Sequence, residues 1–211
     1  MNNKLHTKEK AFHDGWANSV DLETIKINEF FESPVAVENN FIMNQIGSLK
    51  GKKILDVGCG LGESAVYFAL KGAIVTASDL SAKMIECATR LADKYDVKIK
   101  TKIASAEELS GEIEKYDIIY VANLLHHIVE KEDFIKNMNK ILKKGGYFCS
   151  WDPVKYNPVI NIYRKIATKV RTEDERPLGF KEINLIQKSF SKSQISFFWF
   201  STLLLFLKYA I

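Results

Sequence analysis

The sequence predicts an α/β fold: a doubly wound, mainly parallel sheet with helices on both faces. Three observations carry this expectation. Between Lys52 and Trp151, short apolar runs alternate with stretches of helical length and period. Most of the runs are apolar throughout, as strands buried on both faces are. The first, "KKILDV", leads straight into glycines at 58, 60 and 62 before a helical stretch opens at Glu63. Right-handed crossovers wind such βαβ units into one sheet, and ligands of such sheets bind beyond the carboxyl ends of the strands, where the winding reverses.

Residues 1–50 lack strand character, and Phe30, Phe31, Phe41, Ile42 and Ile46 are spaced to line short helices. "ESAVYFALKG" reads as a helix stopped by Gly72, "AIVTAS" as the second strand, and "SAKMIECATRLADKY" as a helix with Ser81 as its N-cap. "VKIKTKIA" is a third, partly exposed strand and "YDIIYVA" a fourth. "DFIKNMNKILKKGG" is a helix with a glycine stop, and "GYFCSW" a fifth strand.

With 211 residues the chain is the size of one domain, and 46% hydrophobic with 27% charged residues is ordinary globular composition. The net charge of +4 comes from lysines scattered among acids, which argues against a nucleic-acid groove. Cys59, Cys87 and Cys149 have neither paired nor metal-like spacing, so reduced thiols in a cytoplasmic protein without a metal site are expected. The polar N-terminus has no apolar signal core, and the longest apolar run, Ile195–Leu207, is short of the ~20 residues of a membrane span. It reads first as a buried element, with contact to a membrane surface as the alternative.

The glycine loop alone is shared by several cofactor classes. A dinucleotide loop wants glycine at the sixth position counted from Gly58, so that a pyrophosphate can rest on the helix N-terminus. Here that position is Glu63, a carboxylate that suits the helix dipole and repels a pyrophosphate. A ligand with a nucleoside, a cationic end and no phosphate fits better. Asp79 closes the second strand, where an acid can accept both ribose hydroxyls. Its bland reading is a turn residue, and that of Cys59 is packing in a crowded loop rather than a reactive thiol.

The stretch "ILDVGCGLGESAVYFALKGAIVTASDLSAKMIECA" resembles the first two cofactor motifs of the class I S-adenosylmethionine-dependent methyltransferases. The likeness continues through "IASAEEL" and "YDIIYVANLLHHI" to "LKKGGYFCSWDP", roughly residues 50–153. The resemblance implies a Rossmann-like sheet, an N-terminal helical lid and S-adenosylmethionine as cofactor. It implies that Asp56, Gly58, Cys59 and Gly60 hold the methionine end, that Asp79 takes the ribose, and that Leu80 packs on the adenine. Ala106 and Glu107 would lie by the adenine edge. Ser105 stands where many relatives have aspartate, and Asn123 would present its backbone carbonyl. The chain divides accordingly into a lid (1–50), a cofactor-binding core (51–153), and a substrate-side insertion with a terminal strand region (154–211), all in one domain of 1–211.

Methyl transfer needs alignment, desolvation and, for many acceptors, removal of a proton. His126 and His127 follow the fourth strand and Asp152 the fifth, so they converge as candidates for a catalytic base. The alternative is one histidine packed under the loop and one on a helix start. Trp16 and "FFESPVAVENNF" are candidates for covering the cofactor, or for docking the lid. Trp151, Tyr156, Tyr163, Arg164 and Arg171 would shape a pocket for a small-molecule or lipid-like acceptor with a polar or anionic handle. Family members end in an antiparallel hairpin, yet residues 191–211 contain no Gly, Pro, Asn or Asp. Either Ser201-Thr202 turns the chain, or an apolar edge is left that invites a homodimer or a membrane surface. The leading expectation is transfer of a methyl group. A non-catalytic S-adenosylmethionine-binding module is the alternative, and a nicotinamide-dependent oxidoreductase is disfavoured by Glu63.

Overall fold

The computed structural model describes residues 2–111, 113, 115–156 and 176–198. An N-terminal helical layer comprises α1 (Asn2–Ser19), a 3-10 turn at Leu22–Thr24, α2 (Ile27–Glu32) and α3 (Val37–Ile46). The core then alternates β1 (Lys53–Val57), α4 (Glu63–Leu70), β2 (Ile74–Asp79), α5 (Ala82–Lys94), β3 (Ile99–Ile103), a 3-10 turn at Glu108–Gly111, β4 (Tyr116–Ala122), α6 (Lys131–Ile141) and β5 (Leu142–Trp151). A final helix, α7, spans Phe180–Ser189.

All pairings among the five strands are parallel, in the order β3-β2-β1-β4-β5. The winding reverses between β1 and β4, so the loops after those strands flank the crevice where ligands of such sheets bind. Residues alternate between the two faces, as a pleated strand requires. Ile54, Ile118 and Tyr120 pack into one core with α2, α4 and α5, whereas Leu55, Val57, Ile119 and Val121 pack into a second with α6 and Leu178. The first core is also tied by polar contacts. The Tyr120 hydroxyl, itself buried, donates to Asn39 Oδ1 at 2.5 Å and accepts from the Trp151 indole at 2.9 Å.

Ser81 caps α5 as expected, its Oγ accepting from the Met84 N–H at 3.1 Å. The glycines at 145 and 146 differ from the expected helix stop. The helix ends at Ile141 and the strand assignment begins at Leu142, which lies opposite Tyr116, while Tyr147 lies opposite Ile118. Residues 143–146 therefore bulge from the ladder, with Gly145 at φ +77 and Gly146 so close to the Asp117 carbonyl that a Cβ would sit 2.7 Å from it. The regular pairing still covers Tyr147–Trp151.

Gly62 serves packing rather than a ligand. Its φ is +91, and a Cβ would lie 2.6 Å from Ala88 Cβ and 2.7 Å from Ala88 Cα, where α4 and α5 meet. Gly62→Ala is expected to destabilise the fold by about 3 kcal/mol, from overpacking plus a left-handed backbone. Denaturant unfolding measures it, and a loss below about 1 kcal/mol would show that the helices can part there at little cost.

Residues 191–198 contain no strand. Ser201-Thr202, most of the apolar run to Leu207, Tyr163, Arg164 and Arg171 lie outside the described residues. No helix among the described residues is long and apolar enough to cross a membrane.

Candidate functional site

At the end of β1 the chain must turn sharply from strand to helix. Gly58 and Gly60 do so at φ +68 and +54, values that L side chains rarely adopt. The loop is stapled to β2: Gly58 and Cys59 N–H both donate to the Ser78 carbonyl (2.8 and 2.9 Å), and Gly60 N–H donates to Asp79 Oδ2 at 3.0 Å. The other Asp79 oxygen accepts from Ser81 N–H at 2.9 Å. The Leu80 N–H also donates to this carboxylate, which has about four lone-pair sites, so not all of them are filled.

A cavity of about 70 Å³ opens at this reversal of winding. Gly58, Asp79, Leu80, Ser105, Ala106 and Glu107 line it, together with His127 from the loop after β4. Asp56, Cys59, Gly60, Asn123, His126 and Asp152 do not. Asp56 lies beneath the loop, 1% exposed, where its Oδ2 accepts from Ser64 Oγ at 2.7 Å at the start of α4. Ser105 Oγ accepts from Glu108 N–H while the Glu108 carboxylate accepts from Ser105 N–H at 2.7 Å. This reciprocal cap explains a serine at that place by local structure alone.

Carboxylates crowd the loop. Burial pushes Asp56 up to about 7, with Glu63 and Asp79 adding repulsion to the donation from Ser64 that opposes it. Burial also raises Glu63 and Asp79. Among the described residues no lysine or arginine lines the cavity. The thiol of Cys59 is pushed well up by burial and by the same acids, which leaves it inert.

The two adjacent histidines have different surroundings. His126 Nδ1 lies 2.8 Å from Asp152 Oδ1, and the pair is buried at 3% and 1% side-chain exposure. Burial raises the Asp152 carboxyl to about 7, against a hydrogen bond from the His126 N–H at 3.1 Å. His127 faces the cavity, and its Nδ1 lies 2.9 Å from Glu9 Oε1 on α1. The two rings are 4.0 Å apart.

The lid contribution comes from an unexpected place. Trp16 is 47% exposed and does not line the cavity, while Glu9 and His13 do. Burial lowers the His13 pKa, opposed most strongly by Asp79. The available signal was an acid and a histidine four apart in "EKAFH", which share one helix face. Leu124 was missed as well: its side chain covers Gly58, within 2.9 Å of where a Cβ would be.

A much larger groove, about 1910 Å³, runs along β5 and is lined by Phe41, Phe148, Trp151, Phe190 and Phe198. Asn123 and Asp152 open onto it rather than onto the small cavity.

A parallel sheet of this order, with a glycine loop after β1 and an acid closing β2, is a Rossmann-like nucleoside-binding arrangement. Residues 54–146 match the family model described as a methyltransferase domain, which supports a class I S-adenosylmethionine-dependent methyltransferase core. The chain is 37% identical over 110 residues to a ubiquinone biosynthesis O-methyltransferase of Coxiella burnetii, covering 52% of this chain and 47% of that protein. A protein of the same description from Pelagibacter ubique is 40% identical over 98 residues, covering 46% and 40%. The chain thus spans less than half the length of the curated relatives it matches. Among solved structures, YcgJ from Bacillus subtilis superposes with a TM-score of 0.61 at 20% identity, over 71% of this chain and 65% of that one. The magnesium protoporphyrin IX methyltransferase of Synechocystis, solved with S-adenosylhomocysteine, gives 0.58 at 19% identity, over 85% and 73%. At those identities the likeness is one of fold.

Proposed function

We propose that this protein transfers a methyl group from S-adenosylmethionine to a small-molecule acceptor. The observation that carries the reading is the shared cavity, which brings Gly58, Asp79, Leu80 and Ser105–Glu107 onto one wall system with His127. The residues fit the cofactor: carboxylate oxygens of Asp79 for ribose hydroxyls, a glycine turn that lets a ligand approach the backbone, and buried acids with, among the described residues, no lysine or arginine lining the cavity to oppose a sulfonium. At about 70 Å³ the cavity is below the ~300 Å³ of small-molecule sites, so binding must widen it, with the Leu124 side chain over Gly58 as the wall that gives.

S-adenosylmethionine supplies an activated methyl group as a sulfonium. Asp79 orients the nucleoside, and Asp56 holds the first turn of α4 beneath the glycine loop. His127 takes the acceptor's proton through Nε2 as its oxygen or nitrogen aligns with the methyl carbon. The buried His126–Asp152 pair fixes the loop that carries His127. The β5 groove supports an apolar, lipid-like acceptor, since aromatic side chains line it and Lys140, Lys143 and Lys192 offer cationic partners for an anionic handle.

The acid cluster predicts a pH dependence. A cation over the loop favours the ionised acids, so its affinity is full above their pKa and falls as pH drops below about 7, the value of Asp56. S-adenosylhomocysteine lacks the sulfonium charge and responds less. The ratio of the two affinities by calorimetry therefore rises from pH 6 to pH 8, and a flat ratio counts against the electrostatic reading. Turnover of labelled cofactor on candidate small molecules tests the function itself. Binding without transfer to any acceptor would point to the non-catalytic module.

A further inference from the structure

We infer that Glu9 is the positioning partner of His127, so that the base is complete only while α1 is docked. The kinetic part of this inference rests on the methyl-transfer reading; the structural part does not.

The side chains of His127 and Glu9 are 13% and 11% exposed, and Nδ1 and Oε1 are 2.9 Å apart. A carboxylate only accepts, so a neutral ring beside it must carry its proton on Nδ1. That leaves the Nε2 lone pair to take a proton from an acceptor, the arrangement in which a third group orients a base. The ring has little freedom to turn otherwise. His126 lies against it at 4.0 Å and is itself held by Asp152, while His13 approaches from α1 at 6.4 Å between centroids. Glu9 and His13 share the helix face that lines the cavity, so one element both closes the site and sets the tautomer of its base.

The two partners are 118 residues apart, so only tertiary docking of α1 unites them. That docking does not depend on Glu9 alone. Asp14 Oδ1 accepts from Ser81 Oγ at 2.5 Å, Asn18 Oδ1 accepts from Lys83 Nζ at 3.0 Å, and Ala17 is buried against α5. Removing the Glu9 charge thus leaves the C-terminal half of the helix anchored. An active site assembled by closure excludes water before the proton moves, which suits an electrophilic methyl donor.

The test uses the full chain and Glu9→Gln. Side-chain ¹⁵N spectra of histidine-labelled protein, recorded without any acceptor, should show His127 as the Nδ1–H tautomer and a shift toward Nε2–H in the variant. Single-turnover transfer should fall roughly tenfold to hundredfold, a part of the ~10²–10⁴ that a positioned base contributes. The Kd for S-adenosylhomocysteine should change less than about threefold, well under the loss in rate. Restoring the carboxylate with Glu9→Asp should recover part of the rate. An Nε2–H tautomer in the unaltered protein overturns the inference, as does a tautomer and rate untouched by Glu9→Gln. A purely structural Glu9 would lower the melting temperature and weaken S-adenosylhomocysteine binding in step with rate, and that also overturns it. If the unaltered protein transfers no methyl group, the functional reading fails, while the tautomer measurement still decides the pairing.

Discussion

Asp79→Ala weakens S-adenosylhomocysteine binding by about 10²–10³-fold. The carboxylate lines the cavity, and the hydroxyls of a ribose can bond there to lone-pair capacity that the Gly60, Leu80 and Ser81 N–H groups do not use. Hydrogen bonds to a charged group contribute about 1.5–3 kcal/mol each, so losing the ribose contacts removes roughly 3–4 kcal/mol, the lower part of the range for two such bonds. The same substitution frees Gly60 N–H and Ser81 N–H, which now bond the carboxylate at 3.0 and 2.9 Å. The loop then loses its staple to β2 as well. Asp79→Asn keeps one acceptor and should fall between the two. Calorimetry reads the affinities and a thermal melt confirms folding. A loss under about tenfold in the alanine variant would mean that the nucleoside is held elsewhere.

The second large effect separates two neighbours. His127→Ala lowers the single-turnover rate by ~10²–10⁴, the contribution of a positioned base, and leaves the melting temperature near that of the parent. His126→Ala does the reverse. It strips the partner from Asp152, whose carboxyl is 1% exposed, and breaking a buried pair costs about 3–5 kcal/mol. Rapid-quench kinetics and thermal unfolding on both variants distinguish them. Equal losses of rate at His126 and His127, without loss of stability, would show the buried pair taking part in proton transfer.

The contrast between these histidines shows where sequence reasoning stops. "NLLHHI" after an apolar run places both at the carboxyl end of β4, because a strand must end where its apolar residues end. Which ring turns inward is decided by what lies on each side. Asp152 comes from β5 across the sheet, and Glu9 comes from a helix far away in sequence. No local pattern encodes either partner. Asp56 and Asp79 illustrate the same limit. Both lie on the same face of the sheet, Asp56 opposite Ala77 and Asp79 two residues beyond it, yet one is buried beneath α4 while the other, at the last position of β2, reaches past the loop to the cavity.

Several features were determined by sequence alone. The alternation of apolar runs and helical periods specifies the βαβ units, since the central runs of β1 and β4 are buried on both faces and the helices between them on one. The glycines at 58 and 60 and the serine cap at 81 are local chemistry, and the structure keeps them where the chain places them. The glycines at 145 and 146 misled because a helix stop and a strand bulge use the same residue for the same freedom. Only the tertiary structure assigned Gly62 to the contact between α4 and α5, laid Leu124 over Gly58, and brought α1 across the crevice. Local order follows from near neighbours in the chain, whereas a site is made by the ends of elements whose meeting depends on how every layer packs.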